Sequence, residues 1–223
     1  VSQDEFIAAA SHELRAPLAV IKSSLQAAAS EPARREKLLG IAGAEVTRLQ
    51  RLTEELLFLA GQDAHILRLT PEELEPDTFF LEVWEAWRAP LRQSGHELTL
   101  DLPDEPFSPI RADKGRLEQL FGILLHNAME YAPEGTAIEL RAVQRNTGTL
   151  FSVRDHGPGV PDTDKQRIFL RFARGDECRT GKEHFGLGLS IARQIALLHG
   201  GTLWVEDAPG GGAVFLVQLP SGR

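Results

Sequence analysis

The chain has 223 residues, 32 acidic against 24 basic side chains and a formal net charge of −8 at pH 7. This acidic balance argues against a nucleic-acid partner, because binding to the phosphate backbone requires a basic surface. The single cysteine, Cys178, excludes an internal disulfide. No apolar run approaches the roughly 18 residues that span a bilayer, so we expect no membrane contact by this fragment.

Two amphipathic helices are predicted in residues 1–62. Apolar residues recur there at the three-and-four spacing of a helix face, interrupted by Ser30-Glu31-Pro32. The spacing involves Phe6, Ala9, Ala10, Leu14, Leu18, Ile21, Leu25 and Ala28, then Leu38, Ile41, Ala42, Val46, Leu49, Leu52, Leu56 and Leu59. A single helical hairpin leaves much of such a stripe exposed, whereas two hairpins form a four-helix bundle. We therefore predict a homodimer through residues 1–62.

The sequence pattern changes at residues 61–63, and strands alternate with helices from residue 63 to residue 223. Strands are predicted at 66–69, 97–102, 137–144 and 149–154, and in a final hairpin beginning at Gly201. Helices are predicted at 79–91, 114–131 and 187–198. Strands and helices without strict alternation favour an α/β sandwich of the α+β type. The predicted fold is therefore a dimerising helical hairpin, followed by an α/β sandwich domain over residues 63–223.

Two glycine-containing segments are candidates for ligand binding. In DHGPGVP, Asp155 follows a predicted strand, and Gly157 and Gly159 let the backbone approach a ligand closely. An ordinary turn explains this pattern equally well. In FGLGLS, Gly186, Leu187 and Gly188 precede or begin a helix, whose N-terminus favours phosphate. Close helix packing is the alternative, and the spacing is not that of a Walker loop.

Asn127 lies in the middle of a predicted helix, where asparagine is a mediocre helix former. Its carboxamide oxygen suits Mg²⁺ that is bound together with nucleotide phosphates. Alone, a helical asparagine is more often simply solvated or hydrogen-bonded.

Together these segments resemble the catalytic core of bacterial sensor histidine kinases of two-component systems, over essentially the whole chain. SHELRAPL resembles the family's phosphoacceptor box, and DKGRLEQLFGILLHNAMEYAP resembles its N box. VRDHGPGVP, IFLRFARGD and FGLGLSIARQIALLHGG resemble the first glycine box, the phenylalanine box and the second glycine box. The resemblance implies a hairpin for dimerisation and phosphotransfer, followed by an ATP-binding domain.

On this resemblance His12 is the nucleophile that receives the γ-phosphoryl group of ATP and passes it to an aspartate of a response regulator receiver domain. A neutral imidazole keeps a free lone pair, and Glu13 would accept the other ring proton as general base. Pro17 removes a backbone donor and would loosen the helix beside His12. A zinc site of the H-E-x-x-H type is excluded, because position 16 is alanine.

The resemblance also implies the roles of the nucleotide-binding residues. Asp155 accepts a hydrogen bond from the adenine amino group, and Asn127 holds Mg²⁺. The four motif glycines and Leu187 shape the pocket, Tyr131 lines it, and Arg174 reaches the phosphates. Residues 162–185 form a lid over the nucleotide. The chain would be the cytoplasmic portion of a membrane-anchored sensor.

Several residues depart from the family pattern. Ala16 replaces the usual Thr or Asn that positions a water for regulator dephosphorylation, so weak phosphatase activity is expected. Ile123, Glu130 and His184 replace a frequent Asn, Lys and Gly, and Lys165, Lys182 or Arg171 are candidates to restore the positive charge. Two alternatives to an active kinase stay open: a degenerate module that binds ATP or a regulator, and a different ATPase of the same nucleotide-binding fold that uses the hairpin only for dimerisation.

Overall fold

A computed structural model of the chain describes residues 3–63, 69–172 and 186–222. The side chains of residues 3–9, 12, 13, 51, 54, 55 and 57–63 lie outside this description. The chain divides into two compact units, one holding the N-terminal helices and the other holding residues 69–172 and 188–222. In these described ranges, no helix is both long and apolar enough to cross a membrane.

The first unit is a helical hairpin, as predicted. Helix α1 spans Gln3–Ser30, helix α2 spans Arg35–Asp63, and a short 3-10 turn at Pro32–Arg34 lies between them. Helix α1 continues through Pro17, which is buried. The buried positions of α1 follow heptad spacing, and those of α2 follow an a/d-like pattern. One stripe of side chains on each helix is therefore buried within the hairpin. These positions are Ala10, Pro17, Ser24 and Ala28 in α1, and Leu38, Ala42, Glu45 and Leu52 in α2.

The second unit is a two-layer sandwich of helices on a mixed sheet. Its helices are α3 (Pro76–Gln93), α4 (Lys114–Tyr131) and α5 (Gly188–Leu198). Its strands are β1 (Glu72–Leu74), β2 (Glu97–Asp101), β3 (Ile110–Ala112), β4 (Ala137–Arg145), β5 (Gly148–Arg154), β6 (Thr202–Asp207) and β7 (Ala213–Pro220). The main sheet has the order β2-β4-β5-β7-β6, with β2 parallel to β4 and the other neighbours antiparallel. Strands β1 and β3 form a separate antiparallel pair.

Most predicted elements are confirmed within one to three residues, and α4 has the predicted bounds. The strand predicted at 66–69 is not: residues 66–68 lie outside the described residues, and Leu69 is not in a strand. Within the described residues the first strand is β1, which the sequence analysis did not predict, and β3 was also missed. Both strands are three residues long, too short for an alternating pattern to show.

A cluster of phenylalanines forms the centre of the sandwich core. Phe80 of α3, Phe121 of α4 and Phe151 of β5 are fully buried, with ring centroids 4.9 to 5.4 Å apart. The rings meet edge to face, the arrangement that aromatic pairs favour. This cluster therefore joins two helices to a central strand of the sheet.

Replacing Phe121 with alanine is expected to lower the free energy of unfolding by about 3–5 kcal/mol, because the change removes buried area and leaves a cavity. Urea denaturation followed by circular dichroism measures this. The matched control is Leu81→Ala on α3, where the side chain is exposed and the expected change is below about 0.5 kcal/mol. Equal losses in both variants would contradict the assignment of Phe121 to the core.

Candidate functional site

Asp155 directly follows β5 and is only 3% exposed. Its Oδ1 accepts hydrogen bonds from the backbone N–H of Gly157 at 2.8 Å and of Ala213 at 3.2 Å. Its Oδ2 makes no hydrogen bond to any other described residue. Burial raises the pKa of Asp155 above its usual value, and the two backbone hydrogen bonds partly oppose this shift. The carboxylate is thus held in the described residues through Oδ1 alone.

The loop after Asp155 presses closely against the C-terminal end of α4. A Cβ atom at Gly157 would lie 2.8 Å from the carbonyl oxygen of Tyr131 and 3.0 Å from Asp155 Oδ1. Gly159 has a φ of +78°, a backbone conformation that favours glycine. The glycine requirement predicted from the D-x-G-x-G pattern therefore has a structural cause, and it brings Asp155 and Tyr131 together.

Helix α4 carries Asn127 and Tyr131 one turn apart, and both side chains are partly exposed. The helix begins after Asp113, whose Oδ1 accepts a hydrogen bond from the N–H of Arg116 and caps the first turn. The i, i+4 spacing puts Asn127 and Tyr131 on one face of α4. The loop that contains Gly157 lies against the backbone of Tyr131, at the end of this helix.

The donor set suits a nucleotide-bound magnesium ion better than a cation caged by protein. Within the described residues, no group of three or more His, Cys, Asp or Glu side chains is placed to hold a metal. Asn127 offers one carboxamide oxygen, and Mg²⁺ usually takes few protein ligands and completes its octahedron with phosphate and water. Asn127 therefore fits Mg²⁺ that arrives with a nucleotide.

The second glycine segment leads into α5. Gly186 has a φ of +68°, Leu187 is fully buried, and Gly188 is the first residue of the helix. A Cβ atom at Gly188 would lie 3.2 Å from Cγ2 of Ile123, so α4 and α5 approach closely there. Close helix packing, the alternative explanation for the glycines of this segment, is therefore observed at Gly188. Close packing concerns the Cα position of Gly188, whereas the phosphate preference of a helix N-terminus concerns backbone N–H groups, so one does not exclude the other. Ile123, which departs from the family pattern, forms this packing contact.

A charged network flanks Asp155 and was missed in the sequence analysis. His156 Nε2 lies 3.0 Å from Glu139 Oε1, and the guanidinium of Arg154 lies 3.2 Å from the same oxygen. Arg154 also donates to the carbonyl oxygen of Pro209 at 2.7 Å. Glu139 and Arg154 are opposite one another on β4 and β5, and this pairing could not be read without the strand register.

The segment after the first glycine loop is described as far as Phe172. Phe169 is buried, with its ring edge-on to Phe215 at 6.4 Å and the guanidinium of Arg193 5.7 Å from its centroid. Lys165 pairs with Asp162 at 2.6 Å and with Asp207 at 2.7 Å, so its charge is already matched by two carboxylates. These contacts hold the start of the predicted lid against β6, β7 and α5.

Some predicted site residues lie outside the description. Arg174, Lys182 and His184 fall within residues 173–185, which are not described, as does most of the predicted lid. His12 and Glu13 lie in α1, one turn before Ala16, but their side chains are outside the description. Ala16 is exposed. The predicted nucleotide-binding residues that lie within the description are Asn127, Tyr131, Asp155, Gly157, Gly159, Gly186, Leu187 and Gly188.

Two family models match the chain. Residues 2–65 match the His Kinase A (phospho-acceptor) domain, and residues 112–223 match the histidine kinase-, DNA gyrase B- and HSP90-like ATPase family. The first match covers the helical hairpin, the second covers the C-terminal part of the sandwich, and residues 66–111 lie in neither.

Similar proteins match along nearly the full chain. Sensor histidine kinase YkoH of Bacillus subtilis is 37% identical over 97% of this chain and 47% of its own length. The probable sensor histidine kinase TcrY of Mycobacterium tuberculosis is 36% identical over 97% of this chain and 45% of its own length. A solved structure of histidine kinase ThkA in complex with the response regulator protein TrrA is 25% identical, with a TM-score of 0.77, over 97% of this chain and 61% of that chain. The chain thus spans about half the length of these two curated relatives.

Proposed function

The chain belongs to the family of two-component sensor histidine kinases, and we propose that it is an active ATP-dependent kinase that phosphorylates its own His12. The observation that carries this proposal is the joining of two parts in one chain. A phosphoacceptor-type hairpin bears His12 and Glu13 in α1, and an ATPase-type sandwich bears the oriented carboxylate of Asp155.

In the proposed reaction, one ring nitrogen of His12 forms a bond to the γ-phosphorus as the bond from that phosphorus to the β,γ-bridging oxygen breaks. ADP leaves with the electron pair of the broken bond. Glu13 accepts the proton from the other ring nitrogen and so prevents charge from building up on the imidazole. Mg²⁺, when bound, neutralises charge on the phosphate oxygens.

The sandwich binds and orients ATP in this proposal. Oδ2 of Asp155 accepts a hydrogen bond from the adenine amino group, because Oδ1 is already used by two backbone N–H groups. Tyr131 lines the pocket, and Asn127 holds Mg²⁺. Phosphate groups bind at the N-terminus of α5, where Gly186, Leu187 and Gly188 form the approach. Arg174 reaches the phosphates from the segment that follows Phe172.

The phosphoryl group then passes from His12 to an aspartate carboxylate of a receiver domain, with cleavage of the N–P bond. The complex of ThkA with TrrA supports a regulator partner for this chain. A homodimer through residues 1–62 is also proposed. It is supported by the large apolar side chains that the hairpin leaves exposed, namely Leu18, Val20, Leu25, Leu39, Ile41 and Val46. The full protein is proposed to be a membrane-anchored sensor with this part in the cytoplasm.

The experiment that tests the function is incubation of the purified chain with Mg²⁺ and ATP labelled at the γ-phosphate. We expect label on the chain that is labile in acid and stable in alkali, as a phosphohistidine is. Bound ATP without label on the chain would overturn kinase activity and favour the degenerate module. Release of labelled phosphate that is insensitive to the loss of His12 would favour a different ATPase of the same nucleotide-binding fold.

Phosphatase activity toward the regulator is expected to be weak, because Ala16 offers no polar group to orient a water molecule. The side chain is exposed one turn after His12, so a larger residue is tolerated there. Changing Ala16 to Thr is expected to raise the rate of regulator dephosphorylation about tenfold or more, the effect of one added hydrogen bond of about 1.5 kcal/mol. Release of phosphate from a labelled regulator measures this rate, with Ala16→Val as the control of matched shape. Equal rates in the Thr and Val variants would contradict the explanation.

A further inference from the structure

We propose that Gly212 is a positioning residue for nucleotide recognition. Only glycine at this place lets the β6–β7 turn pack against the backbone of Asp155 and bring a hydrogen-bond donor to its carboxylate. The inference rests on the proposed function, since it assigns a further residue to the same nucleotide site. Gly212 belongs to the run APGGGAV, which the sequence analysis treated only as a hairpin turn.

The three glycines of the turn differ in what a side chain would meet. Gly210, Gly211 and Gly212 have φ angles of +87°, +103° and +96°, so each favours glycine through its backbone conformation. At Gly210 and Gly211 a Cβ atom would meet nothing within 4 Å. At Gly212 it would overlap the carbonyl oxygen of Asp155 and lie 2.9 Å from the Cα of His156. Of these three glycines, only Gly212 would bring an added side chain into overlap with Asp155.

Further contacts hold Gly212 on its other sides. Its carbonyl oxygen accepts a hydrogen bond from the N–H of Ala208 at 3.0 Å. The same oxygen would lie 3.1 Å from a Cβ atom at Gly159, so the first glycine loop packs directly against it. Gly212 is thus enclosed between the end of β6 and the loop that carries Gly159.

Ala213, the residue after Gly212, contacts both the side chain and the backbone of Asp155. Ala213 donates its N–H to Oδ1 of Asp155 at 3.2 Å, and its carbonyl oxygen accepts the N–H of Asp155 at 2.9 Å. A side chain at Gly212 would push the turn away from Asp155 and take the N–H of Ala213 with it. Oδ1 would lose one of its two donors, and the direction of Oδ2 toward the ligand would no longer be set.

The test compares Gly212→Ala with Gly211→Ala, which carries nearly the same φ penalty without the steric overlap. Affinity for a non-hydrolysable ATP analogue with Mg²⁺ is measured by calorimetric titration of the whole chain. Gly212→Ala is expected to weaken binding about tenfold or more, the effect of losing one hydrogen bond to a charged group. Gly211→Ala is expected to stay within about twofold of the unmodified chain, since a difference below about 0.5 kcal/mol is typical away from such contacts.

A pH profile of the affinity separates positioning from a general loss of structure. The N–H of Ala213 lowers the pKa of Asp155, as do the neighbouring Arg154 and His156, whereas burial raises it. His156 is itself paired with Glu139. Losing the Ala213 contact therefore shifts the acid loss of binding to higher pH. We expect this shift in Gly212→Ala and not in Gly211→Ala.

If Gly212→Ala does not fold, Ala213→Pro decides the question, because proline removes the same N–H while leaving Gly212 in place. It is expected to show the same weaker binding and the same shift in pH. Binding by either folded variant that matches Gly211→Ala in strength and pH profile would overturn the inference. Absence of binding by the unmodified chain would instead overturn the proposed function.

Discussion

Replacing His12 with glutamine is expected to abolish the acid-labile label that forms with γ-labelled ATP, while binding of an ATP analogue is unchanged. The amide has no ring nitrogen with a free lone pair, so no N–P bond can form at this position. His12 lies in α1, whereas the described residues assigned to nucleotide binding lie in α4, in the loop after β5 and at the start of α5. The substitution therefore separates transfer from binding, and the label is expected to fall below detection.

Two companion variants sharpen this result. Glu13→Gln is expected to slow labelling by about 10²–10⁴-fold, the usual contribution of a general base, without changing affinity. Lys22→Gln removes an exposed charge from the same helix and is expected to label normally. The chain has seven histidines, so the label is mapped to a peptide. Label that persists in His12→Gln at any other histidine would contradict the assignment.

Replacing Asp155 with asparagine is expected to weaken ATP-analogue binding by roughly 100-fold, or about 3 kcal/mol, the upper range for a hydrogen bond to a charged group. The amide oxygen can still accept the N–H groups of Gly157 and Ala213 in the place of Oδ1. Its NH₂ group then takes the place of Oδ2 and faces the adenine amino group, donor against donor. Recognition is lost while the loop geometry is preserved.

The same substitution is expected to raise the melting temperature at pH 7 in the absence of nucleotide. Burial raises the pKa of Asp155, so folding favours its protonated form. The folded state therefore loses stability as pH rises from the ordinary aspartate pKa through the raised value, and above that value the full penalty is present. Asparagine is never charged and removes this penalty. Residues that favour function at the expense of stability are common in binding sites.

Both effects of Asp155→Asn are measured on one preparation, by calorimetric titration and by thermal unfolding at several pH values. Asp101→Asn is the matched control, because this aspartate is on the exposed edge strand β2 and pairs with Arg141 at the surface. We expect it to leave affinity unchanged. The difference in stability between Asp155→Asn and the unmodified chain should shrink at acidic pH. A difference that is constant with pH would contradict a buried charge at this position.

The elements with strong periodicity could be predicted from the sequence. The apolar spacing in residues 1–62 predicts the hairpin, because a helix repeats its face every three to four residues over many turns. Helix α4 has the predicted bounds, and in the structure Asp113 caps its first turn and Pro133 follows its end. The D-x-G-x-G and FGLGLS patterns indicated the loop that begins at Asp155 and the start of α5, because glycine is required there by the local backbone conformation.

Other features depended on contacts between segments far apart in the chain. The strand order β2-β4-β5-β7-β6 brings Ala213 beside Asp155, although 58 residues separate them. No local pattern distinguishes Gly212 from Gly211, since only the packing of β7 beside β5 puts the Asp155 backbone against one and open space around the other. The sequence by itself determined the helical hairpin, the α/β fold after it and the kinase family motifs, because these depend on local periodicity and on short ordered motifs. The tertiary structure decided which oxygen of Asp155 accepts the backbone N–H groups, because one of these donors, Ala213, reaches it only across the sheet.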